Sequence, residues 1–399
     1  MSDRESLVSA RLWLAFTTML LVSGISNTFP VFFPPLLTEF GGSRAATAMT
    51  VSLLWVCGAI LGPLAGAMVD RRDPRLIVVA GVAATALGLV GGALAPTLSV
   101  FIACVGLGAG IGVGLTGMVT HAAIIADAYV RRRGFAMGIA FAGSMAGYVL
   151  AVPVQIAIDR VGWRGALGLY VVLLLLLVPC ALLVYPSRLT PRAPVASGDR
   201  TLGAITRSWP FWALGVVFSV APLVGYLATT QHALYFRAHG FGADEAAGML
   251  VVGGVLSTSG RALAGLAADR FGAPAVGVLS YTLTLLGTLC LVGFDFHPVR
   301  WLAYGYVAFV FLPLGTRATI VALLVSRIAP PSRFGAVFGA LAIGNNLGAA
   351  LGPLLSGAIY DLTHSYVAIY VVAVALVLAG ITALLGFLAA TRVASERLT

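Results

Sequence analysis

Apolar runs of 18 residues or more recur along almost the whole chain, and each is long enough to cross the ~30 Å hydrocarbon core of a bilayer as a helix. Twelve are expected, at 12–37, 46–69, 76–95, 98–126, 134–158, 165–185, 209–236, 246–268, 274–294, 301–328, 333–359 and 366–390. A chain that is 60% hydrophobic and 10% charged must satisfy its backbone inside lipid, where helices do so segment by segment. The reading is therefore an all-α membrane protein of twelve transmembrane helices. The first run is too long for a signal-peptide core and lacks a cleavage pattern, so it reads as helix 1.

All 24 basic residues are arginine. With a cytoplasmic N-terminus, 17 of them fall on the cytoplasmic side, 5 on the outer side (Arg44, Arg160, Arg164, Arg237, Arg300) and 2, Arg261 and Arg317, inside spans. That asymmetry obeys the positive-inside rule and places both termini in the cytoplasm. The +10 charge therefore reports orientation, and nucleic-acid binding is a poor reading because the arginines sit in short separated loops. Trp13, Trp209, Trp212, Trp163 and Trp301 fall near span ends, as in an aromatic belt. Cys57, Cys104, Cys180 and Cys290 sit in four different apolar spans and read as small hydrophobes.

The chain repeats itself at about 200 residues. GAMVDRRDPR at 66–75 matches GLAADRFGAP at 265–274, and Gly138, Gly143 and Gly147 match Gly339, Gly344 and Gly348. Two parallel six-helix repeats follow, an N-terminal bundle over 1–185 and a C-terminal bundle over 209–399. The Pro-, Ser- and Arg-containing stretch 186–208 is a cytoplasmic linker.

On these two loop motifs the chain resembles the major facilitator superfamily, whose motif joins helices 2–3 and 8–9. The second copy departs from the pattern, with Ala273 and Pro274 in place of basic residues. Three further stretches, at 29–47, 128–147 and 232–272, are similar to bacterial monocarboxylate transporters and oxalate–formate antiporters. The resemblance implies alternating-access transport of small organic acids.

Arg261 has no acid within seven residues on either side. A charge at membrane depth costs roughly 2.5–3.5 kcal/mol on insertion scales, so such a residue faces a partner or a wet cavity. It lies eight residues before Asp269, ~12 Å into the membrane. Gly254, Ser257, Thr258, Arg261 and Gly265 share one small, polar helix face. A guanidinium matches a carboxylate bidentately. The resemblance implies that the helix-8 arginine binds the substrate carboxylate, and Arg261 occupies that position. The bland alternative is an arginine held by helix carbonyls.

Arg317 lies in FLPLGTRATIV, where Pro313 leaves the Phe309 carbonyl without its helix donor. Arg317 either caps that gap or supplies a second anion contact. His121, on a stripe with Gly110, Gly114 and Gly117, either meets substrate or a proton or is satisfied by a neighbouring helix. Gln231 and His232, toward the outer half of helix 7, are a candidate outer cavity or a packing pair. Asn27, Thr28, Tyr148, Asn345 and Asn346 read equally as substrate contacts or interhelical hydrogen bonds. Gly66, Asp70, Arg71, Gly265, Asp269 and Arg270 form the loop motifs; their carboxylates cap a helix start or pair with Arg131–Arg133, which makes them gating residues.

The spans hold no clear carboxylate; only Asp127 borders one. Ser257 stands one turn before Arg261, where some monocarboxylate transporters carry an aspartate. Three couplings stay open: a proton carried with the substrate and assisted by His121, anion exchange, and uniport. Asn345 and Asn346 replace the lysine that marks oxalate exchange, which favours a monoanion. GLGAGIGVG at 106–114 lies inside an apolar span with no preceding strand or lysine, so it is no phosphate loop and lets helices approach closely. No enzyme, cofactor or metal is indicated, and transport is expected to be secondary. The expectation is a bacterial inner-membrane transporter with a monomeric functional unit, taking a small organic anion and a proton or counter-anion. An efflux pump for amphipathic compounds and a non-transporting ligand sensor are the alternatives.

Overall fold

The computed structural model describes residues 3–69, 71–129, 133–189, 202–329 and 334–396, and among these every regular element is helical. Ten stretches are long and apolar enough to cross a bilayer, or eleven once the bent α12 is counted. One of the ten, Ala136–Val184, is 49 residues, ~74 Å if straight, more than twice what one crossing needs. Within it Gly162 has φ 73° and ψ 166°, a left-handed conformation that a β-carbon disfavours and glycine accepts. The chain reverses there, and counting two crossings restores the twelve expected.

The first spans are α1 (Asp3–Phe40), α2 (Arg44–Val69) and α3 (Pro74–Ala93). Asp73 caps α3, accepting the Arg75 N–H at 2.9 Å, with Pro74 in the first turn. The capping carboxylate of the first loop motif is thus Asp73; Asp70 and Arg131–Arg132 lie outside the described residues. The fourth span is built in pieces: α4 (Leu98–Phe101), a π-helical turn over Ile102–Leu107, α5 (Gly108–Thr116) and α6 (Met118–Ala128). Then come α7 (Arg133–Ala146), a 3₁₀ turn at Gly147–Leu150 and α8 (Ala151–Val184).

After α9 (Leu202–Thr206), the seventh span breaks at Thr230–Gln231 between α10 (Trp209–Thr229) and α11 (His232–Ala238). The eighth is α12 (Ala243–Phe271) and the ninth α13 (Ala273–Phe296). The tenth is again broken, into α14 (Arg300–Tyr306), a π turn at Val307–Phe311, α15 (Leu312–Leu314) and α16 (Arg317–Val325). α17 (Phe334–Thr363) and α18 (Tyr366–Glu396) finish the chain.

Two compact units form. One holds Met1–Arg192 with Thr230–Val255, the other Ala193–Thr229 with Leu256–Thr399. The first unit is pinned at one end by a cluster on Trp163. Its indole N–H donates to Glu39 Oε2 at 2.5 Å, and Arg164 pairs with Glu39 Oε1 at 2.6 Å while reaching the carbonyls of Ala93 (2.5 Å) and Ala95 (3.0 Å). Trp163 is 6% exposed, so it leaves the expected aromatic belt: the Glu39 carboxylate and the rings of Phe40 and Phe101 give it a better partner than the membrane interface. Trp13, Trp209, Trp212 and Trp301 are exposed.

The repeat is visible in side-chain chemistry. In the first unit Asn27 of α1 donates to the carbonyl of Ser144 of α7 at 2.7 Å. In the second, Asn345 of α17, which stands 201 residues after Ser144, donates to the Phe218 carbonyl of α10 at 3.0 Å. The same helix pair is joined in both units, with donor and acceptor exchanged. The α5 glycines likewise serve close packing. A β-carbon on Gly110 would come within 2.6 Å of Cys57 in α2, and one on Gly108 would meet the backbone of Gly88 in α3.

Candidate functional site

The second unit concentrates its polar chemistry where α12 crosses the broken tenth span. Gly260 of α12 and Gly315 of the tenth span make that crossing backbone to backbone. A β-carbon on Gly260 would collide with the Leu312 carbonyl, and one on Gly315 with the Ser257 carbonyl. Pro313 and the preceding π turn disturb the regular ladder, so carbonyls of the tenth span become available to neighbouring helices. Ser257, fully buried, takes one of them: its hydroxyl donates to the Phe311 carbonyl at 2.7 Å. One turn on, Arg261 Nε donates to the Gly315 carbonyl at 3.4 Å, a long contact for an N–H···O bond. α12 bends by 40° between Arg261 and Leu263, beside this close crossing.

The two arginines of the spans have different surroundings. Arg261 is half-buried and lies ten residues from the Phe271 end of α12, ~15 Å along the axis. Arg317 is 4% exposed and is surrounded by α13. Its Nε donates to Ser280 Oγ at 3.2 Å, its Nη2 donates to the Ser280 carbonyl at 3.3 Å and to Thr284 Oγ1, and its guanidinium stacks 4.4 Å from the Tyr281 ring centroid. The Tyr281 hydroxyl in turn donates to the Val217 carbonyl of α10. Arg317 is therefore a tie between helices. The expected cap on the Phe309 carbonyl is not what holds it, because α13 presents two hydroxyls and a carbonyl closer to hand.

The remaining sequence candidates are spread through the two units. In the second, Asn345 is half-buried on the Phe218 carbonyl, with Asn346 beside it on α17. In the first, Asn27 and Tyr148 are buried, Tyr148 against Gly254, whose β-carbon would lie 2.6 Å from that of Tyr148. Thr28 is buried and bonded to its own helix at the Gly24 carbonyl, 2.8 Å.

His121 is fully buried. Its Nδ1 lies 3.3 Å from the Gly117 carbonyl, its Nε2 has no hydrogen-bond partner among the described residues, and its ring meets Tyr185 edge-on at 6.1 Å. Gln231 and His232 are 3% and 1% exposed. Gln231 Oε1 accepts from Arg44 at 2.6 Å and His232 Nε2 sits 3.0 Å from the Ala246 carbonyl, so both are packed at the break of the seventh span. Of the loop motifs, Arg71, Asp269 and Arg270 are exposed at helix ends, Gly265 is half-buried, and Gly66 packs against Val119.

What sequence reasoning missed is the acceptor side. Phe311, Gly315 and Ser280 offer backbone carbonyls, and only Pro313 signalled that the tenth span would open its ladder.

The model of the Major Facilitator Superfamily matches residues 14–316 and 259–398. The chain is 28% identical over 371 residues to monocarboxylate transporter 13 of Bos taurus, covering 92% of this chain and 86% of that protein. It is 23% identical over 396 residues to the MFS-type transporter YcxA of Bacillus subtilis, covering 94% and 93%. Among solved structures, a D-xylose-proton symporter superposes with a TM-score of 0.77 at 19% identity, covering 95% of this chain and 97% of that one; that likeness carries the fold. The chain belongs to the Major Facilitator Superfamily, and is a multi-pass membrane transporter rather than an enzyme.

Proposed function

We propose that this transporter moves small monocarboxylates by alternating access of the halves 1–185 and 209–399, and that Arg261 binds the carboxylate. Both termini face the cytoplasm of a bacterial inner membrane in this reading. The observation that carries it is the contrast between the two arginines of the spans. Arg317 is 4% exposed and enclosed by hydroxyls, a carbonyl and a tyrosine ring, whereas Arg261 is half-buried near mid-span, with the Gly315 carbonyl among its contacts. The monocarboxylate transporters among the relatives support the substrate class.

Ser257 holds the helix beneath Arg261 and keeps its spacing to the tenth span, so it positions the guanidinium. Binding energy that is larger in the closed form than in the open ones would drive the conformational exchange. A cargo bearing its own proton, exchange of anions, and uniport are all compatible with spans that carry arginine and no clear carboxylate.

Counterflow in proteoliposomes tests the proposal. Vesicles loaded with unlabelled lactate, pyruvate, phenylpyruvate or succinate are diluted into labelled lactate at several pH values. The expected result is accumulation driven by monocarboxylates, weak response to succinate, and loss of accumulation in Arg261→Gln. Undiminished counterflow by that variant would refute the site, and a response to none of these acids would refute the substrate class.

A further inference from the structure

The first unit carries a cleft of about 610 Å³ whose lining does not include Arg261. It is lined by the end of α1 (Val31 to Glu39), by Gln155, Ile158, Asp159 and Trp163 of α8, and by Leu234 and Arg237 of α11. Its volume falls in the range of small-molecule pockets, and its wall combines apolar surface with a few charges in fixed positions.

Of those charges, Glu39 is committed at both oxygens and Asp159 at one. Glu39 is held by Trp163 Nε1 and by Arg164, and Asp159 Oδ1 accepts from Gln155 at 2.9 Å. Arg237 is different: it is exposed on the last turn of α11, and no side-chain hydrogen bond or ion pair of it is found among the described residues. A second demand comes from the backbone. Pro34 and Pro35 stand within α1 and give no N–H, so the Val31 carbonyl in the same wall loses its regular helix donor at Pro35. The cleft thus offers one strong donor fork, at Arg237, and two acceptors, the Asp159 carboxylate and the Val31 carbonyl. The same wall includes Pro35, Leu234 and Trp163.

We infer that this cleft is a second binding site, separate from Arg261, for an organic acid that carries a hydroxyl or amino group beside its carboxylate and an apolar body. The guanidinium takes the carboxylate bidentately. The hydroxyl or ammonium donates toward Asp159 or Val31, and the body lies against Leu234 and Trp163. An exposed ion pair alone contributes little, so the apolar wall and the second polar group are both required. A plain fatty acid would leave the acceptors unmet, and an amine without a carboxylate would leave Arg237 unmet.

Binding to the purified full chain in detergent tests this without any reliance on transport. Titration is followed by calorimetry in the Arg261→Gln background, where the site of the proposed function is disabled. The probes are 2-hydroxy-3-phenylpropanoate, phenylalanine and 3-phenylpropanoate.

One equivalent of either the hydroxy acid or the amino acid is expected to bind, and which of the two binds more tightly identifies the donor. Adding Arg237→Gln should weaken binding at least tenfold, with partial recovery in Arg237→Lys. The probe lacking the donor, 3-phenylpropanoate, should bind at least fivefold more weakly, and Asp159→Asn should narrow that difference. Both replaced residues are exposed, so the variants retain the fold, and an unchanged unfolding temperature checks this. The inference is overturned by absence of saturable binding, by indifference to Arg237→Gln, or by equal affinity for all three probes. Because the background lacks Arg261, failure here leaves the counterflow result untouched, and the converse holds.

Discussion

Ser257 donates to the Phe311 carbonyl at 2.7 Å, one helical turn before Arg261 donates to the Gly315 carbonyl. Two successive polar contacts therefore fasten α12 to the opened part of the tenth span. Ser257→Ala strands a buried carbonyl, at a cost of about 1–3 kcal/mol. The expected outcome is a lower unfolding temperature together with a raised KM, since the arginine loses its register. An altered KM with an unchanged unfolding temperature would place the Ser257 hydroxyl on the substrate instead.

Arg261 itself separates charge from shape. Arg261→Gln is expected to reduce monocarboxylate uptake about 100-fold, which corresponds to about 2.7 kcal/mol. Arg261→Lys keeps the charge and loses the planar fork, so it should recover only part of that loss, and mostly in kcat. Initial uptake rates over a range of substrate concentrations decide the matter; equal rates for Gln and Lys would exclude a carboxylate contact.

At Gly260 the tolerance is smaller still. Alanine there would force its β-carbon onto the Leu312 carbonyl, and overpacking of this kind costs typically about 1–3 kcal/mol. Gly260→Ala should therefore unfold at lower temperature and transport slowly even at saturating substrate. Gly248→Ala, on the same helix with nothing within 4 Å of its β-carbon position, serves as the control and should behave as wild type.

Arg317 leads to an inverted expectation. Arg317→Met removes a buried cation, and the hydroxyls it leaves behind retain partners: Thr284 donates to the Ser280 carbonyl at 3.1 Å, and the Ser280 hydroxyl accepts from Thr316 at 3.1 Å. Replacing buried charge by apolar bulk is often neutral or stabilising, so this variant should unfold within about 1 kcal/mol of wild type. Thr284→Val keeps the cation and deletes an acceptor, and should cost about 1–3 kcal/mol. Thermal unfolding in detergent compares the two; the opposite order would mean that the guanidinium contributes net stability.

How much of this was legible beforehand depended on the range of the interaction. Spans were legible because hydrophobic content is summed over some twenty neighbouring residues and needs no knowledge of the partner helix. The breaks in the fourth and seventh spans were not, since Gly117 is one of many glycines in the fourth and the polar run Thr229 to His232 in the seventh reads equally as side chains on a continuing helix, while the interruption is set by packing. In the tenth span Pro313 announced a break but not which groups would answer it. Trp163 read as an interfacial residue because Glu39, its acceptor, is 124 positions away. Arg317 read as a cap on its own helix or a second anion contact because Ser280 and Thr284, 37 and 33 residues earlier, do not share its periodicity. Arg261 stood out for the opposite reason: a lone charge in an oily helix is conspicuous without any knowledge of its surroundings, although Gly315, the oxygen it leans on, was not.

The reversal at Gly162 has a practical corollary. Two crossings meet there with no loop between them, so a protease finds no extended stretch to grip and an antibody no protruding epitope. Replacing that glycine by any L-residue would force the corner into a conformation costing roughly 1–3 kcal/mol. An affinity tag inserted at this corner should therefore lower expression, whereas residues 159–162 are exposed, so a small labelling reagent should reach a cysteine placed beside Gly162.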